Sequence, residues 1–432
     1  VAPGLSTGGT GALRSMTGIN QWISPITLDP GASEVAIGVE PDGSVPAVNG
    51  VVTKRAGHPT PDSSYFRSDY SLTIVSTVTG GRATDFVKRG TGHLILPNAN
   101  PYFGRTLIEQ GWVTVQNSRS LGDSTPATSF GETAQQPTVV SDGAALHLMA
   151  PAPGVQIVLD EEYLVLEGLG ITHPYGFISR KGALVNIGGD NVVTGDIGLI
   201  NTQFATPTPT PAQGAGIGVE RAAVVESPVG SGTFVLLPSS LILNGELSDG
   251  IRYQQSQSGS FTAANVTSTF TYDAGAVSGR ITVPYDFGTV GDRLQILYGG
   301  NTIFDTGGFV TGIGLATVNF GPGATTALTV VVTSGGGTPA APNGWSIGAQ
   351  SIGATPRGIV TQFPSSFVKL GSQTLTLLGA GSQSGGTQVV RVNNQDVELG
   401  GNEERERTLR LQNDTALGRA TTGTEITRQT YD

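Results

Sequence analysis

The chain contains no cysteine among its 432 residues. Thiolate zinc sites, disulfides and thiol catalysis are thereby excluded. Charge is scarce as well, at 13% of positions, and the balance of 23 basic against 33 acidic residues gives a net charge of -10. Such a chain has no basic footprint for nucleic acid, and a bound phosphate backbone would work against its own field. No apolar run reaches 18 residues, so no membrane-spanning helix is expected. Nor does any window of a dozen residues carry a helical apolar stripe. Tryptophan is limited to Trp22, Trp112 and Trp345, few platforms for stacking sugars.

What is abundant is glycine, with 64 residues, together with 25 prolines and many valine, isoleucine, leucine and threonine residues. Low charge argues against a solvated disordered chain, and β-branched residues punctuated by glycine argue for many short strands joined by tight turns. The fold class read from this is all-β.

Residues 87–122 read VKRGTGHLILPNANPYFGRTLIEQGWVTVQNSRSLG, a succession of strand, turn, strand, turn, strand with no helical period. The pattern recurs. Residues 368–390 read VKLGSQTLTLLGAGSQSGGTQVV, and LRLQNDTALG at 409–418 parallels VTVQNSRSLG at 113–122. Upstream, residues 11–28 and 182–199 share seven of 18 positions at an offset of 171, and Ser71-Leu72-Thr73-Ile74 recurs as Ser240-Leu241-Ile242-Leu243 at 169. Lys88 and Lys369, however, are 281 apart. About 112 additional residues must therefore lie between Ser240 and Lys369.

From Ser260 to about Ile352 the rhythm changes to alternating strands such as Gly279–Val283, Asp292–Tyr298, Ala316–Phe320 and Ala327–Val332, separated by glycine turns. Six to eight strands in this length have the size of an antiparallel β-sandwich. The remainder, with strands about 20 residues apart and no hairpin signal, suggests a parallel β-solenoid rod (β-helix) on the order of 60–75 Å long. The expected organisation is a first solenoid repeat at 1–181, the start of a second at 182–255, an inserted sandwich at 256–355, and the rest of the second repeat at 356–432. Thr206–Pro211 reads as an extended polyproline-type connector.

Asn20, Trp22, Ile26 and Leu28, followed by Lys88, Gly90, Gly92, Leu94, Leu96, Asn98, Asn100, Tyr102, Gly104, Thr106 and Gly111, resemble the autotransporter-associated β-strand repeat. Its usual form is close to K-x-G-x-G-x-L-x-L-x-x-x-N-x-Y-x-G-x-T. The second copy keeps Lys369, Gly371, Leu375 and Leu377 but replaces the asparagine and aromatic positions with glycine-rich sequence. It also carries about 15 more residues around Asn402–Arg407. The resemblance covers about three quarters of the chain, leaving out the sandwich. It implies a large secreted surface protein built from tandem β-solenoid repeats, such as a bacterial adhesin or fibre, and it implies no catalytic residues. Joined tail to head, Arg419–Asp432 and the first ten residues would continue the repeat in phase. Such a chain is expected to be one period of a giant tandem array or a subunit that associates end to end with identical units, because a solenoid presents strand edges at both ends.

Candidate chemistry is sparse. Gly4-Leu-Ser6-Thr-Gly8 matches G-x-S-x-G but precedes any strand, whereas a nucleophile elbow requires strand, sharp turn and helix. His58, His93, His147 and His173 show no metal-ligand spacing, and no Walker loop or complete G-x-G-x-x-G is present. Asp160-Glu-Glu162 and the Glu403–Arg407 run read as solvated turns. Clustered acids can also serve a glycan-active solenoid, so a secreted glycan-binding or glycan-cleaving protein is the rival reading, with a glycan or a cell surface as partner. Asp273, Asp286, Asp292 and Asp305 sit beside strand ends and glycine turns of the sandwich. Calcium takes six to eight oxygens from carboxylates and turn carbonyls, which makes these four the candidate ligands. Asp is equally a turn former. Asn265-Val-Thr267 and Asn413-Asp-Thr415 match the glycosylation sequon. The leading expectation is a structural extracellular unit, not an enzyme.

Overall fold

The computed structural model describes residues 11–16, 18–39, 70–81, 83–123, 136–173, 178–201, 214–349, 358–383, 387–392, 409–413, 415–417 and 424–429. The connector Thr206–Pro211, the Gly4–Gly8 match, the Glu403–Arg407 run, His58, and the terminal spacer residues 1–10 and 430–432 lie outside them. All regular structure among the described residues is β.

Most of the chain winds as a parallel β-solenoid with three faces. The first face stacks eight parallel strands, from Leu13–Ser15 through Asp85–Arg89 and Thr106–Ile108 to Leu247–Asp249. The second stacks ten, from Gly18–Trp22 through His93–Leu96, Gly111–Val115 and Ala215–Val219 to Thr424–Gln429. A third set of shorter strands includes Val158–Leu159, the far half of Leu184–Val193, Ser239–Leu243, Thr374–Leu377 and Leu409–Leu411. Ten strands at about 4.8 Å give a stack roughly 43 Å long. That is shorter than the 60–75 Å expected from evenly spaced coils. Neighbouring second-face strands are 19 residues apart at Leu94 and Val113 but 38 apart at Leu146 and Leu184. The difference is taken up at corners rather than along the axis.

Alternation in each strand sends every second side chain into the stack. On the second face Leu72, Leu94, Val113, Leu146, Leu184 and Ile217 lie in register, one above the next. Leu159, Val193, Leu243, Leu377 and Leu411 do the same on the third. All six residues of the first ladder and the first four of the second belong to one continuous buried core, and Leu411 at the end of the second is 43% exposed. Each fully buried aliphatic side chain contributes about 1.5–3 kcal/mol.

The two repeats occupy different faces. Leu13–Ser15 lies on the first face, whereas its sequence equivalent Leu184–Asn186 lies on the second. Gly18–Trp22 lies on the second and Gly189–Val193 on the third. The same step separates Ser71–Ile74 from Ser240–Leu243, Lys88 from Lys369, and Leu94–Leu96 from Leu375–Leu377. The second copy is thus the first copy advanced by one face. Local contacts are carried along: the Asn20 amide donates to Ser15 Oγ at 2.8 Å, and the equivalent Asn191 amide donates to Asn186 Oδ1 at 2.6 Å.

Between Leu247–Asp249 and Phe367–Leu370 the pairing turns antiparallel. It starts at Ile251 and ends at Gln362, which pair with each other. This stretch, 112 residues counted inclusively, begins and ends a few residues outside the expected 256–355. It forms one sheet of six strands and one of four around a separate core that includes Phe261, Ile281, Phe287, Ile296, Val330, Trp345 and Ile347. It rests on the outer side of the first face, where Val165 and Ile200 meet Ala276 and Phe363. Arg105 lies 4.7 Å from the Tyr253 ring centroid, and Arg252 pairs with Glu167 at 2.5 Å.

Candidate functional site

The residues that define the repeat converge on the corners of the solenoid. Lys88 occupies an inward position between Ile37 and Ile108 and is fully buried. Its ammonium donates to the carbonyls of Arg89, Gly90 and Gln110 at 2.9, 2.6 and 3.0 Å. Lys369 occupies an inward position beside Ile217, on the second face, and donates to the carbonyls of Gly371 and Gln373 at 2.7 and 2.9 Å. The glycine two residues after each lysine has positive φ, 76° at Gly90 and 80° at Gly371, which turns its carbonyl back towards the ammonium. Gly92 N donates to Val39 O at 2.8 Å, and its equivalent Gln373 N donates to Val219 O at 2.9 Å. Lys88 therefore ties its corner to the next coil, Lys369 holds its own corner closed, and in both corners a backbone bond reaches the neighbouring coil.

Downstream residues of the first copy are spent the same way. Asn100 accepts from Val78 N at 2.9 Å and donates to Ser120 O at 2.7 Å, tying three coils together. The buried Tyr102 hydroxyl meets Thr106 Oγ1 at 2.5 Å, and Thr106 donates to Leu121 O at 3.0 Å. Burial pushes the Tyr102 phenol up, far from ionisation. In the second copy Gly381 and Gln383 stand at the Asn100 and Tyr102 positions. The backbone bond survives: Asn100 N donates to Arg119 O at 2.9 Å, and Gly381 N to Thr415 O at 3.0 Å.

One acidic residue differs from the sequence expectation, and three histidines form a group that sequence spacing did not show. Glu162 is not part of a solvated turn; Asp160 and Glu161 are exposed, but Glu162 is buried and accepts from Thr138 Oγ1 at 2.7 Å. Burial pushes its carboxyl up to about 8. Thr138 stacks directly on Thr106, so a polar column runs through the core beside Tyr102. The strand after Glu162 starts inward at Leu164, two residues later, and that alternation was the available sequence signal. His93, His147 and His173 are buried and gather around one tryptophan. Trp112 stacks on His93 with centroids 4.8 Å apart, meets the edge of His173 at 5.2 Å, and lies 6.5 Å from His147. They sit on the outer side of the second face, beneath Ile171, Ile178, Ala223 and Leu237. Burial pushes His147 down to about 3, with a smaller contribution from His173, itself pushed down to about 4 by burial. Only the pairing of strands brings His93, Trp112 and His147 together, so no sequence spacing announced them.

The four candidate calcium ligands are not gathered. Asp273 and Asp286 each accept from the backbone of the glycine two residues on, at 2.9 and 3.0 Å, as turn formers do. Asp305 is held low by hydrogen bonds from Arg293, Gly307 and Gln295. Asp292 is buried and accepts from Asn343 Nδ2 at 2.7 Å, and burial pushes it up to about 6. Among the described residues no group of three or more histidines or carboxylates is placed to hold a metal ion, and no helix is long and apolar enough to cross a membrane.

Residues 86–115 and 367–390 match the family model of the passenger-associated-transport-repeat, a repeat family of autotransporter passenger domains. These are the segments that contain Lys88 and Lys369. No curated protein matches the chain.

Proposed function

We propose that a chain carrying two passenger-associated-transport-repeats serves as a structural unit of the bacterial cell surface, with a mechanical rather than a chemical role. The repeat family implies a secreted or surface-exposed protein. Support for a structural role comes from one observation above all: the signature residues of the repeat are spent on joining coil to coil. Lys88, Asn100, Tyr102 and Thr106 all hydrogen-bond within the stack. A parallel stack held this way transmits load along its axis through its backbone ladder.

The same reading extends to assembly. Strand Leu184–Val193 is flanked by the preceding strands Ala144–Met149 and Val158–Leu159. Its sequence equivalents, Leu13–Ser15 and Gly18–Trp22, have no preceding neighbour among the described residues, and Ile19 and, just past the second strand, Ile23 are 54% and 76% exposed. A further coil of the same kind fits that edge, so units would continue end to end, with the antiparallel sandwich set to one side as the lateral contact. Negative-stain electron microscopy of the purified chain tests this. Filaments with an axial repeat near the length of one unit are expected; discrete particles at every concentration would sink the filament reading. Fractionation of the native host, with the protein found outside the cell or on its surface, is the matching expectation for location.

A further inference from the structure

The sandwich has an uncharged edge strand that carries exposed aliphatic side chains. Strand Ile313–Phe320 pairs along its full length with Gly279–Asp286, in the register Ile313 to Asp286 and Phe320 to Gly279. On its other side no strand is paired among the described residues, and no backbone hydrogen bond from residues 313–320 leads elsewhere. Ile313 and Leu315 point outward at 65% and 39% exposure, with Phe309 just upstream at 51%. Edge strands normally carry a lysine, a proline, a bulge or a cover that blocks further pairing. Three other edge segments have such guards, and Gln257–Phe261 presents serine and glycine rather than exposed aliphatic side chains. Asn301–Asp305 is short, irregular in register and closed by the Arg293–Asp305 pair. Ile251–Gln254 carries Arg252, tied to Glu167 of the solenoid. Thr267–Asp273 presents threonines and ends on an exposed aspartate. Ile313–Phe320 has none of these: from Thr306 to Pro356 the chain holds no charged residue at all.

We propose that this edge joins two copies of the protein, strand to strand and antiparallel about a twofold axis, so that their six-stranded sheets become one. A second copy is the occupant that the charge pattern fits. Two chains of net charge -10 repel each other, and contact is least costly where both surfaces are neutral. Self-pairing centred on Ala316 keeps outward residues on one face. It sets Ile313 opposite Asn319 and Leu315 opposite Thr317, with the two Leu315 side chains in diagonal reach. The outer N–H and C=O groups of both strands then gain partners, and both exposed aliphatic side chains are covered. The pairing rests on the surface-rod reading only in that it makes the sandwich the lateral contact; it does not depend on coils stacking end to end.

Sedimentation velocity of the full chain tests the proposal, with Leu315→Lys and Ile313→Lys as two separate variants at exposed positions. The parent is expected to show a concentration-dependent dimer, and each variant to lower the dimer fraction at least tenfold while the far-UV circular dichroism is unchanged. Mixing Leu315→Cys and Thr317→Cys chains under mild oxidation is expected to give a disulfide-linked heterodimer; the parent has no cysteine to interfere. A parent that stays monomeric, or a dimer that survives both lysines, overturns the proposal. Axial filaments that persist in Leu315→Lys would show the end-to-end reading standing by itself, and their absence in a chain that still dimerises would show that reading failing alone.

Discussion

An ammonium buried inside a β-stack is costly unless its protons are met. Lys88 meets that cost with three backbone carbonyls, one of them on the next coil. Lys88→Met keeps the bulk and removes the donors, leaving those carbonyls unpartnered. A loss of roughly 2–4 kcal/mol is expected, read as a lower urea midpoint, and Lys369→Met should move it in the same direction. Glu162 supplies a test with a pH signature. Burial raises it from 4.5 to about 8, so across that window the folded chain holds a proton that the unfolded chain has lost. Stability therefore falls as pH rises from 4.5 towards 8. Glu162→Gln removes this slope, and the variant should gain on the parent in melting temperature between pH 5 and pH 8; a constant difference would refute the buried acid. His147 and His173 act in the opposite sense. Lowered from 6.5 to about 3 and about 4, they stay neutral while the unfolded chain protonates, so stability drops as pH falls below 6.5. The lysines were legible in the sequence because the motif repeats. The histidine cluster was not, because it depends on which strands stand side by side.

At the scale of the element, the corner rather than the strand is what repeats. Lys-x-Gly with a positive-φ glycine closes the corner from first to second face in one copy and from second to third in the other. Both corners accept the same local geometry, and so the repeat can advance by a single face. Sequence offsets could reveal the repeat and the length of the extra segment but not this step, since a strand's pattern of alternation is the same on every face. Close approach between coils gives a further test. A Cβ on Gly104 would lie 1.8 Å from Thr84 O of the coil beneath. Gly104→Ala is expected to force the two coils apart at a cost of about 1–3 kcal/mol or more, visible as faster amide exchange in His93–Leu96 and Thr106–Ile108. The antiparallel stretch was legible from its alternation and glycine turns. Its four aspartates read as a calcium set from their places beside strand ends and glycine turns, and in the structure they serve separate turns, an ion pair and a buried bond.

For the molecule as a whole, the two ends of the sandwich lie side by side, with Asp249 accepting from Ser365 N at 2.8 Å. Replacing residues 251–362 by a short glycine linker should therefore leave the coils able to close, while Val139, Val165 and Ile200 of the first face become exposed. Such a variant is expected to keep its parallel β signature and to aggregate more readily than the parent. The rod itself depends on the second repeat being stacked one face ahead of the first. Thr376 should then stand directly over Ile242 on the outer side of the third face, about 4.8 Å away. The cysteine-free background makes this measurable in a single experiment: Ile242→Cys with Thr376→Cys, oxidised and mapped by non-reducing mass spectrometry. A near-complete intrachain disulfide in that pair is the expected result. No disulfide there, together with a disulfide when Thr376→Cys is paired instead with Gly218→Cys on the second face, would contradict the rotated stack.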